Sequence, residues 1–583
     1  MSHIFLHPLH MLWRERIEFF WPIWIAITLF GLVLVVWWVP RGEENAVDST
    51  NVKRVGLSRP TIFPLLLLSV FLACYIAGSL FWEDFTYYDN NMFTLITLAG
   101  HNIAPPIWPD LGRFFPLGYQ EFNVLRHFTH SIFGYHSLHL VQLLVMVGML
   151  LTLDAQLSIA SRVALVIISL LTPSVLISYS ALIYPDWNLL FWFVCLIWAL
   201  KHFDRKSSLI WAAAAVVSAQ FLLYYKETAF LLLFGFVAAR VILRCWNAER
   251  RAFDISPLRQ RNSILDICLA GLVVPFLLFY LAAMFPKFRT DYASNHHLPL
   301  PEVLGSYLAL DLLVWVLVAL VLARVTRIFL GKTTPWPLWD SLAIGGVAYF
   351  AGYLILGMFS AYYLIPADVI AVLYVGRSLI LSFSNMPYGV KVLVTVSVLV
   401  ILVQALSLSA FRMYEAKNVM HTEADMANTM EDRYRHTNGG QDLKLFFPFA
   451  RPYRIMNFAG YLSLQIPVDG VPSSSPSAHP LRLAGRSITM NGPCVPERSP
   501  ICEAASTPDA GDLVVVLPDD KAPPEELAEY QQHTNGLLLS YHSVPAVPRW
   551  LSFYVHHLHI ASPSFAREEL PTSWLNASIA VWK

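Results

Sequence analysis

Charge is scarce in this chain. Lys, Arg, Asp and Glu make up 14% of its 583 residues, where soluble globular proteins carry about 25%. The little charge present cancels, 40 basic residues against 40 acidic, which excludes a basic nucleic-acid binder. Cysteine is sparse as well: six in the whole chain, too few for a secreted disulfide scaffold. No Gly-rich phosphate loop, Walker sequence or nucleophile elbow occurs. What fills the space is apolar. Hydrophobic residues reach 56% and mean hydropathy is +0.52, which excludes a disordered chain and argues against a purely soluble enzyme.

The natural solvent for such a chain is a bilayer, whose core is crossed by about 20 apolar residues in a helix. Apolar runs fall at 20–39, 61–81, 138–153, 160–182, 187–200, 209–224, 228–243, 264–284, 306–323, 338–357, 361–383 and 391–411. They predict a mainly α, polytopic membrane helical bundle of about 12 spans over residues 1–411. The first run is a full-length span with no small-residue cleavage site behind it, so signal-peptide processing is not expected.

The connections alternate in charge. One set, with its flanking helix ends, holds 18 Lys and Arg; the other, with the N-terminal tail, holds seven. Positive residues resist translocation, so the first set is expected inside. Segments 81–137 and 284–305 and everything after about 411 are expected outside. From 412 to 583 the composition changes to 14 basic and 18 acidic residues with no spanning run. Residues 471–480 form a Pro/Ser-rich loop, and short strands at 512–517 and 536–541 flank a helix at 525–533, which predicts a C-terminal soluble α/β domain on the outer side, periplasmic in a bacterial inner membrane. Cys74, Cys195, Cys245 and Cys268 lie in or beside spans and read as packing residues. Cys494 and Cys502 are the only cysteines of the exported part; a disulfide between them suits an oxidising compartment, and unpaired surface positions are the alternative.

The longest outward connection, 81–137, opens with Phe81-Trp82-Glu83-Asp84-Phe85-Thr86-Tyr87-Tyr88-Asp89. Three carboxylates in seven residues at a lipid surface are costly to place for packing alone. A helix is expected over 87–99, then prolines at 105, 106 and 109. After Gly112-Arg113-Phe114-Phe115-Pro116, the stripe of Phe122, Leu125, Phe128 and Ile132 has the spacing of a helix lying in the membrane plane. Each charged group also has a bland reading. Glu83 and Asp84 suit a helix N-terminus, Asp186 in Tyr184-Pro185-Asp186 can simply start a span, and Lys226-Glu227 can be a local ion pair with a snorkelling lysine. Sidedness shifts the balance, because Asp84, Asp186, Lys226 and Glu227 all fall at the same membrane face, where ionisable groups mark function by default.

These residues together resemble the integral-membrane glycosyltransferases of the GT-C superfamily, the group that holds protein O-mannosyltransferases and the lipid A aminoarabinose transferase. The likeness covers roughly 60–411 and rests on the acidic pair after an early span, the long outward loop, Tyr184-Pro185-Asp186, Tyr225-Lys226-Glu227-Thr228 and Tyr362-Tyr363-Leu364-Ile365-Pro366. It omits the first span, an addition expected to put the N-terminus outside. Ala361 stands where a basic residue often precedes the aromatic-Leu-Pro stretch. The resemblance implies transfer of a sugar from a polyprenyl-phosphate carrier on the outer face, with inversion, to a surface polysaccharide, lipopolysaccharide or glycolipid. A first-loop carboxylate acts as general base, Asp84 first by position, then Glu83 and Asp89. Lys226 and Arg113 stabilise the departing phosphate, with headgroup anchoring the alternative for Arg113. Asp186 and Glu227 orient these cations or hold a divalent ion, Mg²⁺ or Mn²⁺. A lipid-linked glycan flippase is the rival from another class.

Other signals are read as structural. His127, His130, His136 and His139 are paired at i, i+3, a spacing able to bind metal, yet without a third ligand they read as interfacial polar residues. His296 and His297 lie in an outward loop, and His556, His557 and His559 in an expected strand. Arg377 sits deep in its run, either snorkelling or facing a polar cavity. Asp368 lies near the outer end of the same run.

Overall fold

The computed structural model describes residues 20–43, 59–80, 96–97, 100–109, 112–129, 131–247, 250–284, 298–436, 443–450, 452–463, 466, 482–485, 503–504, 507–518, 524–543 and 575–583. Helices overlie all twelve apolar runs. They are α1 (Phe20–Trp38), α2 (Arg59–Leu80), the short α3 (Gln120–Leu125), α4 (Ile132–Leu153), α5 (Ile159–Leu170), α6 (Pro173–Ser180), α7 (Asp186–Lys206), α8 (Leu209–Tyr225), α9 (Ala229–Cys245) and α10 (Arg261–Met284). The remaining membrane helices are α11 (Leu300–Leu310), α12 (Leu312–Phe329), α13 (Pro337–Leu356), α14 (Ile365–Phe383) and α15 (Tyr388–His436). Among the described residues seven helices are long and apolar enough to cross a membrane, eight if the bent pair α5–α6 is one span. The protein is an integral membrane protein, mainly α. The helix ends are called outer and inner after the charge count.

Besides the run 306–323, which Asp311 divides between α11 and α12, three elements depart from the simple reading of the sequence. The run 160–182 breaks into α5 and α6 at an angle of 65°, because Pro173 cannot continue a helix and instead starts a new one. The stripe from Phe122 to Ile132 is not one helix: α3 ends at Leu125, Phe128 lies in a turn, and Ser131 caps α4 by accepting from the Gly134 amide at 3.2 Å. The run 391–411 continues as the 49-residue α15, roughly 74 Å at 1.5 Å per residue, more than twice a bilayer core of about 30 Å.

Small residues let the bundle close. A Cβ on Gly345 of α13 would stand 2.9 Å from Phe236 Cβ and 3.1 Å from the Leu232 carbonyl oxygen of α9, so the two backbones approach as small-residue interfaces allow.

The C-terminal part is a six-stranded mixed sheet ordered β7-β6-β5-β8-β10-β9. Two-residue ribbons come earlier, β1 (Ile107–Trp108) with β2 (Arg113–Phe114) and β3 (Trp246–Asn247) with β4 (Ala252–Phe253). The sheet strands are β5 (Lys444–Phe447), β6 (Arg482–Gly485), β7 (Glu503–Ala504), β8 (Leu513–Val516), β9 (Thr534–Ser543) and β10 (Leu575–Trp582). β7, β6, β5 and β8 run parallel, and β10 is antiparallel to both β8 and β9. Helices α16 (Pro452–Leu462) and α17 (Pro524–Gln532) supply connections, and the expected strands at 512–517 and 536–541 are β8 and part of β9. One core fills the bundle. A second joins Phe115, Tyr119 and Phe122 of the long loop to Met426 of α15 and to Phe447 and Val515 of the sheet. The sheet domain is therefore packed onto the loop that roofs the outer helix ends.

Candidate active site at the outer helix ends

Three chain reversals bring the charged residues together. Pro185 turns the chain into α7, placing Asp186 in the first turn. Lys226 leaves the end of α8 in extended conformation, and Thr228 starts α9. The ribbon β1–β2 presents Arg113, and the loop is tied to α8 where the Leu117 amide donates to the Tyr224 carbonyl at 3.1 Å.

Lys226 Nζ lies 3.0 Å from Asp186 Oδ2, with 3% and 0% of the two side chains exposed. The ammonium also faces the rings of Tyr363 and Tyr362, 4.7 and 5.4 Å from their centres, a favourable place for a desolvated cation. These rings belong to a fixed aromatic wall. Tyr362 stacks on Tyr184 at 4.1 Å, Tyr363 on Tyr353 at 4.7 Å, and the Tyr353 hydroxyl is 2.8 Å from Thr228 Oγ1. Ala361 opens the single 3-10 turn that carries both tyrosines. Beside the pair, Arg113 Nε donates to Glu227 Oε1 at 2.7 Å while its guanidinium covers Phe115. Asp186 feels both Arg113 and Glu227 electrostatically, so the four charges form one group.

Asp186, Lys226, Glu227 and Arg113 are thus brought together from segments up to 114 residues apart. Each cation is spoken for by one carboxylate oxygen, and the second oxygen of each, Asp186 Oδ1 and Glu227 Oε2, is buried without a hydrogen-bond partner. Glu83, Asp84 and Asp89 lie outside the described residues, as do His130, His296, His297, Cys494, Cys502, the loop 471–480 and the histidines at 556, 557 and 559. His139 is buried against the Tyr179 carbonyl, and Arg377 has a partner, donating to Asp154 Oδ2 at 2.6 Å. Asp368 accepts from Ser174.

One residue beside these charges does not stand out in the sequence. Glu121 of α3 has its Oε1 2.8 Å from Asn188 Nδ2, two residues beyond Asp186, and the phenol of Tyr225, next to Lys226, lies against the same carboxyl. Burial pushes Glu121 up from 4.5 to about 7. The available signal was a glutamate directly before an apolar stripe, on a loop already marked as a roof. Among the described residues no three His, Cys, Asp or Glu side chains gather to hold a metal, and Asp186 and Glu227 each face a cation, an environment that does not suit Mg²⁺ or Mn²⁺.

No family model matches the chain, and no curated protein matches it. Among solved structures it is similar to ArnT from Cupriavidus metallidurans bound to undecaprenyl phosphate, at 11% identity and a TM-score of 0.42, over 88% of this chain and 97% of that one. It is similar also to the apo state of the same ArnT, at 13% identity and a TM-score of 0.41, over 88% and 98%.

Proposed function

We propose that the protein is a membrane glycosyltransferase that moves a sugar from a polyprenyl-phosphate carrier to an acceptor hydroxyl at the outer membrane face. The observation that carries this reading is Lys226, held at the outer helix ends between a buried carboxylate and two tyrosine rings, with Arg113 alongside. A lipid-borne phosphate needs such a place: cationic, shielded from water and level with the headgroups.

In the reaction the acceptor oxygen attacks the anomeric carbon as the carbon–oxygen bond to phosphate breaks, and configuration inverts. The acceptor's proton passes to a first-loop carboxylate, Asp84 before Glu83 and Asp89. The electron pair of the broken bond leaves on the carrier phosphate, whose charge Lys226 and Arg113 stabilise. Asp186 and Glu227 hold these cations in place, and their spare oxygens are free to accept from sugar or acceptor hydroxyls. The sheet domain, packed on the roof, positions the acceptor, a glycan, lipopolysaccharide or glycolipid.

The test is transfer of label from a polyprenyl-phosphate sugar to acceptor in proteoliposomes. Asp84→Asn is expected to lower the rate about 10²–10⁴-fold and Lys226→Gln about 10²-fold, with folded protein retained. The bent pair α5–α6 gives some support to a second reading, a lipid-linked glycan flippase, since transporters use broken helices. Lipid carried across the bilayer with no covalent transfer decides for that reading.

A further inference from the structure

A buried hydrogen-bond chain leads into Glu121, and its direction is fixed at the far end. Trp187 Nε1 can only donate, and it donates to Gln142 Oε1 at 2.8 Å. Gln142 must then turn its amide nitrogen to Asn188 Oδ1, 2.7 Å away. Asn188 in turn presents its own nitrogen to Glu121 Oε1. The carboxyl therefore has one oxygen with a fixed donor. The other, Oε2, is inaccessible to water and has no hydrogen-bond partner. No step of the proposed transfer uses this residue, yet it touches both segments that carry the Lys226–Asp186 pair: Asn188 follows Asp186 by two positions, and Tyr225 directly precedes Lys226.

We propose that Glu121 is a positioning residue, its neutral carboxyl joining the segments that flank Asp186 and Lys226, and that its ionisation weakens capture of the anionic carrier at Lys226. This rests on the transferase reading given above. The neutral acid accepts from Asn188 through Oε1 and carries its proton on Oε2, the oxygen without a partner. Loss of that proton puts a negative charge with no cation in contact into a buried place beside the phosphate site, where like charges repel strongly. With burial holding the group to about pH 7, the change falls in the physiological range. The folded chain keeps this proton to higher pH than an unfolded chain does. Its contribution to stability is therefore present at low pH and is lost as pH rises from about 4.5 towards about 7. Around Glu121 stand the Tyr225 phenol, Arg126 at the end of α3, and Tyr135, His136 and His139 on α4, the helix packed against α3; Asp186 and Lys226 follow on the segments that Asn188 and Tyr225 belong to.

The experiment measures binding of undecaprenyl phosphate to the full chain in nanodiscs at about pH 6 and about pH 8, for the parent, Glu121→Gln and Asn188→Ala. The carrier's own second ionisation is common to all three, so the difference between variants is what counts. Glu121→Gln is expected to match the parent at the lower pH and to bind about three- to tenfold more tightly than the parent at the higher one. Asn188→Ala is expected to bind weakly at both. Parent and Glu121→Gln responding alike to pH overturns the proposal. A parent that binds no carrier at either pH overturns the transferase reading and, with it, the effect on capture. The protonation of Glu121 is then judged alone, by infrared difference spectra. A buried protonated-carboxyl band that disappears between the two pH values, and is missing in Glu121→Gln, upholds the neutral acid; its absence from the parent overturns that as well.

Discussion

At the inner helix ends, Asp204, Asp266, Asp340 and Asp154 have both carboxylate oxygens engaged. Asp204 and Asp266 accept from Arg240 and Arg244 on all four of their oxygens. Both oxygens of Asp340 accept, from Arg324, Tyr374 and the Trp336 amide. Those of Asp154 take Arg377 and the Gln156 amide. These networks fasten α7 to α9 and α10, α12 to α13 and α14, and α4 to α14. At the outer ends, Asp186, Glu227 and Glu121 each use one oxygen and leave the other buried and unpartnered. A group left unsatisfied in this way costs about 1–3 kcal/mol. On the proposed function, the spare oxygens of Asp186 and Glu227 are where sugar or acceptor hydroxyls donate. The inner charges hold the bundle; the proposal gives the outer ones a ligand to meet.

The largest expected effect lies at the inner end. Arg240 is fully buried between two carboxylates, and Arg240→Leu leaves buried charge short of its partner, a loss of about 3–5 kcal/mol. Thermal unfolding in detergent is expected to show it, while transfer per folded molecule stays the same. Next comes Asp186→Asn at the outer end. The amide keeps the shape and still accepts from Lys226, so stability is expected to fall by no more than about 1–2 kcal/mol. Transfer, by contrast, falls about 10²-fold as the lysine is no longer held. A variant that unfolds yet transfers normally when folded makes the outer pair a fastener like the inner ones, and the contrast fails.

The outer half of this contrast is legible in the sequence and the inner half is not, for definite reasons. Apolar runs are set by bilayer thickness, so the helices at Phe20–Trp38 or Arg261–Met284 could be read directly. Sidedness then placed Asp186, Lys226, Glu227 and Arg113 at one face, and the fold brought them into contact. For Arg377 the sequence leaves snorkelling and a polar cavity open; its partner Asp154 stands 223 residues away, and no spacing rule reaches across helices. The inner arginines entered only as a count of charge, which hides the acids that meet them. The break at Thr172–Pro173 does not show in hydropathy, which sums over a run and is blind to one proline. Glu121 does not stand out because its surroundings come from Asn188 and Tyr225, contributed by two other helices.

The smallest expected effect separates burial from distance. Lys444 Nζ lies 3.2 Å from Asp509 Oδ2 in the sheet domain, nearly the separation of Lys226 from Asp186. Here, however, 21% of the lysine and 81% of the aspartate are exposed, and Asp512 adds only a longer contact of 3.9 Å. Water and salt screen such a pair, so Lys444→Met is expected to change stability by less than about 0.5 kcal/mol. Raising the salt concentration should erase even that. Lys226→Met, at an almost equal distance, strands a buried carboxylate and should cost several-fold more, with little response to salt. Equal losses in the two variants, measured by unfolding at low and high salt, break the argument, because the outer pair's sensitivity then comes from contact alone and not from its isolation from water.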